Sequence, residues 1–78
     1  MRFIYADYNM WTNSIDVMTF DNYILRIDCN KVEEGLKLTQ YSQFALSSLA
    51  LDDPLEYAAL ALAKKLQEWA DEEEAKNG

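Results

Sequence analysis

Two runs, Ile15-Asp16-Val17-Met18-Thr19-Phe20 and Ile24-Leu25-Arg26-Ile27-Asp28-Cys29, decide how this chain folds. Both are rich in β-branched residues and alternate with period two, the pattern of strands with one buried face. The first places Ile15, Val17 and Thr19 on one side. The second places Leu25, Ile27 and Cys29 on one side and Ile24, Arg26 and Asp28 on the other. Upstream, a less regular strand sets Ile4, Ala6, Tyr8 and Met10 against Phe3, Tyr5, Asp7, Asn9 and Trp11.

Parity constrains the turns, because a slip of one residue moves every side chain to the wrong face. Met10 opposite Ile15 and Tyr8 opposite Val17 bring the apolar faces together around a two-residue Thr12-Asn13 loop. Val17 opposite Ile27 and Thr19 opposite Leu25 do the same for the second hairpin. Phe20 then faces Ile24 across an odd loop, Asp21-Asn22-Tyr23. That register makes Asp16 and Asp28 cross-strand neighbours of like charge, which is unfavourable. A two-residue Asp21-Asn22 loop would instead set Val17 against Arg26.

From Asn30 the pattern turns helical. Asn30 with Glu33 has the spacing of a capping box, and Gly35 marks a stop. A second helix is expected from near Thr39 to Leu51, with Leu38, Tyr41, Ala45, Ser48 and Leu49 toward one face and Phe44 beside them. Asp53-Pro54-Leu55-Glu56 is a start signal: a cap, proline at the first helical position, then an acidic residue in the first turn. Leu55, Ala59, Leu62, Leu66 and Trp69 follow as one stripe. Past Trp69 nothing is left to bury, so the end should fray. The chain therefore reads as one α+β domain over 1–78, a β-β-β-α-α-α layout. Its parts are a three-stranded antiparallel meander over 1–29, helices packed on one face over 30–75, and a frayed tail over 76–78.

Composition narrows the function. The 78 residues carry seven basic and fourteen acidic side chains, a net charge of −7. Residues 1–51 hold a net of −2 and residues 52–78 a net of −5. Such a balance disfavours nucleic-acid backbones and anionic membranes. No apolar run approaches the roughly 20 residues that span a bilayer. No signal core precedes the first charges. One cysteine suits a reducing compartment, so the expectation is cytoplasmic.

Catalytic parts are missing. No histidine is present and the two glycines are far apart, which removes His-based triads, the usual zinc sites and phosphate loops. Cys29 lies at an inward strand position, as a structural cysteine does. Asp52-Asp53 and Asp71-Glu72-Glu73-Glu74 lack calcium-loop spacing and read as a cap and a solvated end. No cofactor, metal or catalytic residue is assigned, and the chain is expected not to be an enzyme. A competing reading uses the carboxylates of Asp7 and Asp16 in a small enzyme or enzyme subunit.

The outer sheet face is more informative. It carries Phe3, Tyr5, Trp11, Met18, Phe20 and Ile24, where a solvated face should be mostly polar. Either these residues form a contact with a second copy or a protein partner, or a helix covers them, or strand one is shifted by one residue. The expected role is a self-associating interaction or accessory module. The alternative is an acidic regulator or decoy binding a basic protein surface.

Tyr8-Asn9-Met10-Trp11-Thr12-Asn13, followed by Ile27-Asp28-Cys29, resembles a family of short uncharacterised bacterial proteins. The resemblance implies a strand meander with C-terminal helices, and it implies no activity and no catalytic residues. The chain departs from it in having Asp21-Asn22-Tyr23 where an Asp-Gly turn is expected.

Overall fold

The computed structural model describes residues 3–77, without the side chains of Phe3 and Asn77. Three strands, β1 (Phe3–Asn9), β2 (Ser14–Thr19) and β3 (Ile24–Asp28), form an antiparallel sheet in the order β1-β2-β3. Helices α1 (Cys29–Glu34), α2 (Gln40–Asp52), α3 (Pro54–Leu62) and α4 (Leu66–Asn77) follow. This is the expected α+β layout of a meander followed by helices.

Both hairpin registers differ from expectation by two residues. Tyr8 pairs with Ile15 and Ala6 with Val17, so the first loop is Met10–Asn13 rather than Thr12-Asn13. Asn9 is the reason. Its Oδ1 accepts from the Trp11 and Thr12 amides at 2.9 and 3.4 Å, and Asn13 turns the chain with φ 50°. Asn13 also ties the turn to α1. Its carbonyl accepts from the Cys29 amide at 3.0 Å, and its Nδ2 donates to Asn30 Oδ1 at 2.7 Å.

In the second hairpin Val17 pairs with Leu25 and Ile15 with Ile27. The loop is Phe20-Asp21-Asn22, closed by the Thr19 amide on the Tyr23 carbonyl at 2.9 Å, with Asn22 at φ 65°. A three-residue turn ending in a left-handed residue suits the strand twist. The correction removes the predicted Asp16–Asp28 clash, since Asp16 now faces Arg26. A slip of two preserves parity, so the inward sets of β2 and β3 survive, with Ile15, Val17 and Ile27 buried, whereas Ile4 and Met10, expected inward from the first strand, are exposed.

The helix ends follow local chemistry. Asp28, not Asn30, caps α1, accepting from the Asn30 and Lys31 amides at 3.0 and 3.3 Å. The Asn30 side chain is committed to Asn13 instead. Thr39 and Ser42 form a reciprocal capping box on α2, and Asp53 caps α3 through the Glu56 amide.

The expected single final helix is two. Lys64 has φ 59°, the Lys64 amide donates to Ala61 and the Lys65 amide to Leu60, at 3.2 and 2.8 Å. These are the two bonds of a Schellman motif, with lysine where glycine is usual. The break re-aims α4 so that Leu66 and Ala70 are buried. The chain past Trp69 therefore has something to bury, and the helix extends to Asn77.

The inward faces of α2 and α3 also differ from expectation. On α2 they are Ser42, Leu46 and Ala50, while Tyr41, Phe44 and Leu51 are exposed. On α3 they are Tyr57 and Ala58, while Leu55 and Leu62 are exposed. α3 packs on β1 and β2, and α2 and α4 pack on α3. All of this lies on the Ile15–Val17–Ile27 side of the sheet.

Candidate functional site

The opposite side of the sheet is the candidate site. Antiparallel pairing aligns outer residues in rows across the three strands. Tyr5 pairs with Met18 and Met18 with Ile24, which makes one apolar row. Asp7 pairs with Asp16 and Asp16 with Arg26, which makes the adjoining charged row. Neighbours in a row stand about 4.5–5.5 Å apart at Cα.

Tyr5 is 58 % exposed and Ile24 66 %. A covering helix would have removed both from solvent, so that alternative is overturned. From Tyr5 onward a one-residue shift of strand one is overturned too, because Ala6 and Tyr8 sit opposite Val17 and Ile15, although the register does shift by one between Phe3 and Tyr5. The apolar row, with Asp7 and Asp16 of the charged row, lines an open depression of about 180 Å³.

The six predicted interface residues do not all meet here. Tyr5, Met18 and Ile24 are contiguous. Phe20 lies in the adjoining hairpin loop, 65 % exposed. Trp11 is in the other loop, at the opposite end of the sheet, and is almost fully exposed. The Phe3 backbone sits opposite Thr19, and the expected contribution of its side chain lies outside what the structure describes.

Charge on this face is asymmetric. Arg26 donates from Nε to Asp16 Oδ1 at 2.8 Å and from Nη2 to Asp16 Oδ2 at 3.4 Å. These bonds hold the Asp16 carboxyl below its usual range. The other ion pair among the described residues is Lys76–Glu73, so Asp7 has no cationic partner there. Asp7 and Asp16 do share the depression. Asp16, however, is held ionised by Arg26, which does not suit it to deliver a proton.

A polar cluster lies inside the fold, between sheet and helices. The Tyr57 hydroxyl, fully buried, donates to Glu33 Oε2 at 2.6 Å. Burial first, and the bond to Glu33 second, push the Tyr57 phenol far above its ordinary value. Nearby, Tyr8 donates to Asn13 Oδ1 at 2.6 Å. Burial also raises the Cys29 thiol above its ordinary value. Glu33 borders an open, polar depression of about 310 Å³ between α1 and α2, lined also by Asn30 and Gln43. Among the described residues no three His, Cys, Asp or Glu side chains gather as a metal site, and no helix is long and apolar enough to cross a membrane.

A family model covers residues 1–77. The chain belongs to DUF6061, a family of unknown function. The meander-plus-helices layout described above is thus the form that a DUF6061 chain takes. No curated protein and no solved structure matches it.

The sequence reading missed two features of this DUF6061 member. One is the alignment of Asp7, Asp16 and Arg26, which depends on register. The other is an exposed apolar stripe on α2, made of Tyr41, Phe44 and Leu51. Their spacing of three and seven was the available signal, since it puts them on one face away from Leu46.

Proposed function

We propose that this chain is a non-catalytic protein-interaction module that self-associates through the outer face of its sheet. The observation that carries the reading is the solvent-open row Tyr5–Met18–Ile24, on the side of the sheet away from the helices. Exposed aromatics offer large contact area with few rotors to freeze, which favours association. Tyr5 and Phe20, each about six-tenths exposed, contribute roughly 100–150 Å² apiece. With Ile24, Met18 and the charged row the face offers on the order of 500 Å² per copy, the size of a weak, reversible contact.

Light scattering coupled to gel filtration tests this. The wild-type mass rises toward a dimer as loading concentration reaches about 100 µM, the regime of a weak contact. Tyr5→Lys holds the chain at monomer mass with an unchanged circular dichroism spectrum. Phe44→Lys, on α2, leaves the dimer intact. A wild type that stays monomeric, or a dimer lost with Phe44→Lys and kept with Tyr5→Lys, overturns the reading. The competing acidic-regulator reading is separated by salt. Apolar association persists at about 1 M NaCl, whereas binding through the acidic charge collapses.

A further inference from the structure

Resting on that self-association, we infer that two copies meet face to face about a two-fold axis running along β2. Tyr5 of each copy then packs on the partner's Ile24, and Asp7 of each pairs with the partner's Arg26. The argument starts from the order of residues across the sheet. β2 is central, with β1 and β3 on either side. A two-fold axis lying between the stacked faces and parallel to β2 exchanges the two flanks and keeps each row at its own height. It places β1 of one copy over β3 of the other.

In the apolar row, Tyr5 meets Ile24 twice and Met18 meets Met18 on the axis. In the charged row, Asp7 meets Arg26 twice. The contact is isologous, as closed dimers require. Two sheets stacked this way sit about 10 Å apart with strands nearly aligned, the spacing of a β-sandwich.

Charge complementarity selects this axis. Asp7 has no cationic partner among the described residues. Arg26 spends Nε and Nη2 on its own Asp16, and the guanidinium retains further donors for a second carboxylate. Asp16 faces its own copy across the axis, and each Asp16 is neutralised by the Arg26 beside it. An axis perpendicular to the strands through the apolar row also stacks apolar on apolar. It sets the charged row over the Phe20 end of the partner and leaves Asp7 without a cation among the described residues, which costs desolvation with no compensating pair.

Charge reversal distinguishes the arrangements. Asp7→Arg alone puts two cations together at both contacts, and Arg26→Asp alone puts two anions together. Each purified variant therefore self-associates at least about tenfold more weakly than wild type, since like charges in an interface suppress pairing. Mixed in equal amounts, the two form a heterodimer in which both contacts are opposite in charge, read by native mass spectrometry. Arg26→Gln, which introduces no reversed charge, weakens association in the same direction and covers a failure of Arg26→Asp to fold. A wild-type dimer that is indifferent to both reversals, or a mixture that stays monomeric, overturns the pairing while leaving self-association standing. A wild type that is monomeric throughout overturns both.

Discussion

Replacing Tyr57 by phenylalanine removes one oxygen from the middle of the fold and leaves the ring in place. The Tyr57 side chain is wholly buried, and its hydroxyl donates to Glu33 at 2.6 Å. A hydrogen bond to a charged acceptor contributes about 1.5–3 kcal/mol. Glu33 is half-buried and borders the open depression between α1 and α2, so water replaces part of what is lost. The lower end, about 1.5 kcal/mol, is therefore expected. A domain of this size loses about 4–8 °C of melting temperature per kcal/mol, so Tyr57→Phe should melt about 6–12 °C lower.

Urea titration followed by circular dichroism should show a lower midpoint with an unchanged slope. pH supplies a second signature. The folded phenol titrates above its unfolded value of 10.0, so its contribution is complete below that pH and is lost as pH rises beyond it. Cys29 and Tyr8, also raised, act in the same direction. Wild type should therefore lose stability above about pH 9–10, and Tyr57→Phe should lose less over the same interval. A variant as stable as wild type, with an unchanged alkaline limb, would refute the role given to this bond.

The remaining predictions concern the helices. Leu46→Ala, at a fully buried site, should cost about 2–5 kcal/mol, and Phe44→Ala, 73 % exposed, under about 1 kcal/mol; the reverse order in urea melts would mean that α2 faces the other way. Lys64→Gly should raise stability by about 0.5–1 kcal/mol, because glycine holds φ 59° without a Cβ clash; a loss would show that the Schellman break does not form. The Glu74 carboxylate lies near Thr39 and Ser42 at the start of α2, with its buried Oε1 making no hydrogen bond, and the polar groups there, Thr39 first, draw its carboxyl below the ordinary 4.5. Its stabilisation is present above that pH and lost as pH falls through the folded value, so Glu74→Gln should flatten the acid limb of stability against pH; an unchanged limb contradicts the contact.

What could be read from the chain, and what could not, divides along physical lines. Face assignment in the strands was legible because Ile15-Asp16-Val17 and Leu25-Arg26-Ile27 alternate cleanly, and alternation survives any even slip. Register was not legible. It depends on Asn9 folding back onto the Trp11 and Thr12 amides, and on Asn13 and Asn22 turning left-handed. Asparagine allows those conformations without requiring them. The break at Lys64 was hidden because lysine occupies the position where glycine signals a stop. The inward face of α3 was hidden because seven of the nine residues Pro54–Leu62 are large apolar, aromatic or alanine, so nearly every face looks buriable. For the site, the apolar outer row was visible as an exception to alternation. Its charged neighbour came into view only with the register that puts Arg26 beside Asp16.

The most direct measurement follows the methyl resonance of Met18 as the protein is concentrated. Met18 stands in the middle of the apolar row, and Met10, exposed in the first hairpin loop, is an internal reference. Association through the outer face predicts that the Met18 methyl and the Tyr5 ring shift together with concentration toward a common plateau while Met10 stays fixed. Resonances of Met18 and Tyr5 that do not move up to about 1 mM, where even a weak contact would be half-formed, would contradict the account.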